Sequence, residues 1–146
     1  VLGREGLKLS EKWAEGMRTL HGLHSCGFPN LFIMSNGQAA FTTNFPHAMD
    51  NAAQHMSYII GKCFDEHITS IEATQEAEDD WVAEIVSLSR YNEDFQVACT
   101  PGYYNNEGQP NPKSTQNGAY GKGSNPYFRK MQAWRDEGNM PGLIIT

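Results

Sequence analysis

Basic residues are scarce in this sequence. Eleven Lys and Arg stand against seventeen Asp and Glu, the formal net charge is −6, and no basic cluster occurs. Nucleic acid is therefore not an expected partner, because phosphate contacts need clustered Lys and Arg. Cysteine is sparse as well: Cys26, Cys63 and Cys99 lie far apart with no Cys-x-x-Cys pair. Such a set fits reduced thiols in a cytosolic protein and argues against a disulfide framework. No apolar run reaches membrane-spanning length, and no signal-peptide pattern follows the first residues. A Gly-x-Ser-x-Gly elbow, a P-loop and a Gly-x-Gly-x-x-Gly motif are all missing. The chain opens on Val1-Leu2-Gly3 rather than Met, which reads as a fragment of something longer.

What is present suffices for a core. Hydrophobic residues make up 39% of the chain and aromatics 11%, too much for wholesale disorder. Leu31 to Met34 is a continuous apolar run of the kind found in strands covered on both faces. Periodicity alone does not separate it from buried helix. The Phe-Pro-Asn before it and the Ser-Asn-Gly-Gln after it favour a strand. A helix is predicted from about Phe45 to Phe64, with Asn44 as N-cap and Pro46 in the first turn, where its missing N–H costs nothing. Phe45, Met49, Ala52, Ala53, Met56, Ile59, Ile60 and Cys63 form one apolar stripe along it. The strand, the turn bearing Gly37 and this helix form one unit. Its helix start offers free N–H groups and a partial positive charge to a cofactor's polar atoms.

Elsewhere the signals are shorter. Ser10 is placed to cap a short helix through Glu15, ended by Gly16, and residues 19–23 look extended. A second helix follows Thr74, with Ala77, Trp81, Ile85 and Leu88 inward and Glu76, Glu78, Asp79 and Asp80 as a solvated acidic start. Residues 100–125 are rich in Gly, Pro, Asn and Ser and read as a long mobile loop. Asn125-Pro126 caps a final helix with Phe128, Met131 and Trp134 inward, ended by Gly138, and residues 143–145 suit a last strand.

The histidines do not make a metal site. His21 and His24 fall on opposite faces of an extended segment, and His47 and His55 are eight residues apart on a helix, too far for one ion. Cys26 beside His24 is a weak basis for a Cys–His pair. No catalytic residue is assigned.

Several segments together resemble one enzyme family. Trp13-Ala14-Glu15-Gly16, Arg18-Thr19-Leu20-His21-Gly22 and Gly27-Phe28-Pro29-Asn30-Leu31-Phe32 look like the C-terminal portion of Baeyer–Villiger monooxygenases. The likeness continues through Asn44-Phe45, Glu76-x-Glu78-Asp79-x-Trp81-Val82, Tyr103-Tyr104-Asn105 and Pro141-Gly142-Leu143, and covers essentially the whole chain. The Gly-Phe-Pro-Asn-Leu-Phe run also occurs in related flavin-containing monooxygenases, so order and spacing carry the narrower assignment.

The resemblance implies an α/β fold: the C-terminal half of a Rossmann-like FAD-binding domain, with helices and a long irregular loop on a partial sheet. Residues 1–146 would form that portion, with the FAD motif and NADP domain upstream. It implies FAD and NADPH as cofactors, with Asn44, Phe45 and Gly37 toward the flavin and Tyr103, Tyr104 and Asn105 toward the nicotinamide cofactor. Ala40, Phe41 and Thr42 would shape the pocket for a ketone, which molecular oxygen converts to an ester or lactone. The Asn-Asn-Glu-Gly loop resembles enzymes acting on bulky cyclic ketones. Ser35-Asn36 departs from the family's frequent Gly-Pro. The catalytic arginine and both glycine motifs lie upstream in the family, so this piece alone is expected to be inactive, to need the remaining chain, and to be poorly soluble. A heteroatom-oxidising flavin monooxygenase and a non-catalytic binding module are the alternatives.

Overall fold

The computed structural model describes residues 1–102, 107, 109, 111 and 113–146. Helices dominate. In chain order they are α1 (Leu9–Lys12), α2 (Phe45–Asp65), α3 (Gln75–Ser87), α4 (Glu93–Ala98), α5 (Ser114–Asn117) and α6 (Ser124–Glu137). The strands β1 (Ile71–Ala73) and β2 (Leu143–Ile145) pair antiparallel, with Ile71 opposite Ile145 and Ala73 opposite Leu143. The last strand expected from the sequence is thus present.

The long helix forms where the sequence places it, because its signals are local. The Asn44 side chain accepts the His47 N–H at 3.3 Å, and Pro46 occupies the first turn. Thr74 caps α3 in the same way, accepting from the Ala77 N–H at 3.1 Å. Gly138 ends α6 in the left-handed region at φ 76°. At its other end α6 starts at Ser124 behind Gly123, not at an Asn125 cap.

Two clusters of buried side chains fill the interior. One gathers Trp81 and Ile85 from α3, Tyr127 and Met131 from α6, and Leu20, Ala40, Ala48, Ala73 and Tyr120. The other gathers Ile59 from α2, Ile71, Trp134 and Met140, with Phe32, Tyr58 and Cys63 packed against it. Helix α2 lies against α6, and Leu143 packs against both clusters.

Four expectations are corrected. Leu31–Met34 joins no strand ladder among the described residues. The Ile33 N–H bonds instead to the Leu23 carbonyl at 2.8 Å, and neither β1 nor β2 pairs with the run. The 19–23 stretch is a tight turn closed by a Leu20–His24 bridge, with His21 left-handed at φ 58°. It puts His21 and His24 both in the interior, not on opposite faces. The end of the 100–125 stretch is packed structure: α5 meets α3, and the Tyr120 N–H bonds to the Ala39 carbonyl at 2.9 Å. Glu78 is not part of a solvated helix start. It is fully buried and receives the Ser25 hydroxyl, the Cys26 N–H and the Lys12 ammonium.

Candidate functional site

The segment from Ile33 to Phe45 leads into the first turn of α2. Asn44 spends its side-chain oxygen on the cap, and its own N–H reaches the Thr42 hydroxyl at 3.3 Å. Pro46 has no N–H. The Phe45 N–H is left at the positive end of a 21-residue helix with no acceptor among the described residues. An acceptor atom brought to this point gains both the hydrogen bond and the dipole.

Around this donor the surface is apolar. Met34, Phe41 and Phe45 are each about half exposed, at 49%, 53% and 47%. Thr42 is half-buried between Phe41 and the cap. Ala40, placed by the sequence reading in the substrate pocket, turns inward and packs in the first core cluster. It also lines a narrow cleft of about 10 Å³ with Ser35, Met49, Ala52 and Tyr127, room for one water at most. Gly37 is half-buried, and a Cβ there would stand 2.6 Å from Met17 Sδ and 3.3 Å from the Asn117 carbonyl. A side chain there would have to push Met17 aside, so packing favours a glycine independently of any cofactor. Tyr103, Tyr104 and Asn105 lie outside the described residues.

Beneath the segment is a histidine–tryptophan layer. The His21 ring meets Trp81 at 5.0 Å, Trp134 at 5.5 Å and His55 at 5.7 Å, all edge to face. Burial lowers all three interior histidines: His24 to about 4, His55 to about 3 with Arg135 adding to it, and His21 likewise downward. They are neutral packing groups. Arg135 Nη1 approaches His55 Nδ1 at 3.3 Å, which assigns the ring proton to Nε2, and that atom has no partner among the described residues. The Tyr127 hydroxyl donates to the His21 carbonyl at 2.7 Å, fixing the turn to α6.

One residue passed over in the sequence organises the segment. Gln38 is fully buried and left-handed at φ 56°. Its partners lie at residues 17, 19, 81, 116 and 118, so no local spacing announces it.

The free donor, the helix start and the apolar rim fit the polar edge of a planar heteroaromatic ring laid against Phe45. They supply nothing for a pyrophosphate, which agrees with the missing glycine motifs.

No family model matches the chain. Individual relatives do. Pentalenolactone D synthase of Streptomyces exfoliatus is 43% identical over 99% of this chain and 25% of its own length. A Baeyer–Villiger monooxygenase of Stachybotrys chlorohalonatus is 36% identical over 99% of this chain and 23% of its own length. Among solved structures, polycyclic ketone monooxygenase from Thermothelomyces thermophila superposes with a TM-score of 0.85 at 31% identity, over 99% of this chain and 24% of that one. A steroid monooxygenase bound to NADP shares the fold, with a TM-score of 0.78 at 23% identity. The chain is thus homologous, from end to end, to part of the Baeyer–Villiger monooxygenases. It spans about a quarter of the length of the curated relatives it matches.

Proposed function

We propose that the chain is the C-terminal part of the FAD-binding domain of a Baeyer–Villiger monooxygenase, an FAD- and NADPH-dependent enzyme of the cytoplasm. Its parent inserts one atom of molecular oxygen beside a ketone carbonyl, giving an ester or lactone. The observation that carries this reading is 43% identity to pentalenolactone D synthase over nearly the whole chain. A bulky cyclic ketone is the favoured substrate class, supported by the likeness to a polycyclic ketone monooxygenase.

FAD, when bound, supplies the activation of oxygen and the hydride chemistry. This chain contributes position and environment. The Phe45 N–H would hold a polar atom of the ring, and the start of α2 would stabilise negative charge there. Met34, Phe41 and Phe45 keep water from that edge, and Phe41 and Thr42 shape the space for the ketone. Ala40 supports them from the core side.

The exposed face of α2 supports this assignment physically. Phe45, Ala53, Ile60 and Phe64 make a stripe on α2 that the described residues leave exposed, with Phe64 78% exposed. An apolar face of this length belongs against more chain. The test is purification of the full-length protein, chromatographic identification of any released flavin, and assay with NADPH on a fused cyclic ketone and on a thioether. Bound FAD with lactone formation supports the proposal, and sulfoxidation without lactone redirects it to the heteroatom class.

A further inference from the structure

We propose that Gln38 is a positioning residue that clamps the Phe45-bearing segment to two other parts of the chain, residues 17–19 and residues 116–118. The claim that this segment faces flavin and ketone rests on the function proposed above. The clamp itself stands on geometry.

Every hydrogen-bonding group described on Gln38 is engaged, and each bond leads elsewhere. Its Oε1 accepts the Thr19 hydroxyl at 2.5 Å. Its Nε2 donates to the Met17 carbonyl at 2.6 Å and to the Gln116 carbonyl at 3.0 Å. Its backbone N–H donates to the Gly118 carbonyl at 2.8 Å, and its own carbonyl accepts Trp81 Nε1 at 3.1 Å. A primary amide suits this position because it alone offers two donors and an acceptor in one plane. A carboxylate would set an oxygen against two carbonyls, and Met would remove the bonds to Thr19, Met17 and Gln116 together.

The neighbouring contacts make the joint two-sided. The Met17 N–H donates to Asn117 Oδ1 at 2.7 Å, and Gln116 Nε2 returns to the Met17 carbonyl at 2.8 Å. Thr19 also receives the Gly22 N–H at 3.0 Å, so the His21 turn hangs on the same hydroxyl. Thr19 and Gln38 are both wholly buried, where water offers no substitute for a broken bond. Gln38 also holds a left-handed backbone that a non-glycine residue adopts at a cost, which the surrounding bonds must over-determine. Three residues on, the segment turns outward at Phe41 and then runs to the Phe45 N–H. Displacing residues 116–118 therefore displaces the segment that carries the free donor.

The test uses the full-length protein with Gln38→Met, with Thr19→Val as a milder second variant and Ile59→Ala as a control for lost stability. Amide hydrogen exchange should quicken by about tenfold or more in residues 39–42 and 116–118 together in both Gln38→Met and Thr19→Val. It should stay unchanged there in Ile59→Ala at an equal drop in melting temperature. The ketone KM should rise about tenfold with a smaller change in kcat, as for lost positioning of bound substrate. Quickened exchange at 39–42 with 116–118 still protected would overturn the clamp, and so would the same KM rise in Ile59→Ala. If Gln38→Met does not fold, Thr19→Val decides alone. A full-length protein that oxidises no ketone would defeat the proposed function, while the exchange data would still decide the clamp.

Discussion

Lys12 Nζ lies 2.8 Å from Glu78 Oε2, in a pair where Glu78 is fully buried and Lys12 keeps only 10% of its side chain in solvent. Glu78 also accepts the Ser25 hydroxyl at 3.1 Å and the Cys26 N–H at 2.9 Å, so α3 is pinned to the N-terminal segment. Removing the ammonium leaves the buried carboxylate with the more distant Arg18 Nε, 3.7 Å from Oε2, as its remaining cation among the described residues. Lys12→Met is expected to cost about 3 kcal/mol, and the double variant with Glu78→Gln to recover part of it. Denaturant midpoints of the full-length protein check this. A loss below about 1 kcal/mol would place the pair among screened surface bridges.

Acid should weaken the fold through His24 and His55. Both are held neutral in the folded chain, at about 4 and about 3, whereas in the unfolded chain they titrate near their ordinary value of 6.5. As pH falls through 6.5 the unfolded chain takes up protons first, so stability is complete above that value and drains away toward pH 4 and 3. The melting temperature should be flat above about pH 7 and decline below about pH 6. His24→Gln with His55→Gln should flatten the decline, and an unchanged slope would assign it elsewhere.

The Phe45 N–H and the Phe45 ring are separable. Phe45→Ala keeps the donor, while Phe45→Pro removes it at a helix position that tolerates proline. In the full-length enzyme the proline variant should fall roughly 100-fold below the alanine variant in kcat, the scale of one lost preorganised donor. Equal kcat in both would deny the donor a role.

The open stripe on α2 makes opposite demands on the fragment and the parent. Ile60→Glu with Phe64→Glu should raise the soluble yield of the 146-residue chain on its own. The same pair should lower the melting temperature of the full-length protein if the proposed remainder of the FAD-binding domain covers the stripe. A full-length protein indifferent to both would show the stripe faces solvent.

What was legible in the sequence was what is encoded locally. Asn44, Pro46 and the stripe specify α2, Thr74 and the Trp81–Ile85 spacing specify α3, and Gly138 stops α6. Burial along α2 was legible only in part, since Ala48 and His55 face inward while Phe45, Ala53 and Ile60 do not. An amphipathic pattern shows that a face will be covered, not which cover is present. Glu78 was misread because a buried and a solvated acid look alike until the distant Lys12 arrives. Gln38 was invisible for the same reason, with a partner as far away as Gln116.

The most direct measurement is to supply the purified full-length protein with NADPH, a fused cyclic ketone and isotopically labelled dioxygen, and to weigh the product. The account predicts a lactone carrying one labelled oxygen atom, formed only with NADPH present. NADPH-independent turnover, or a lactone free of label, would contradict it.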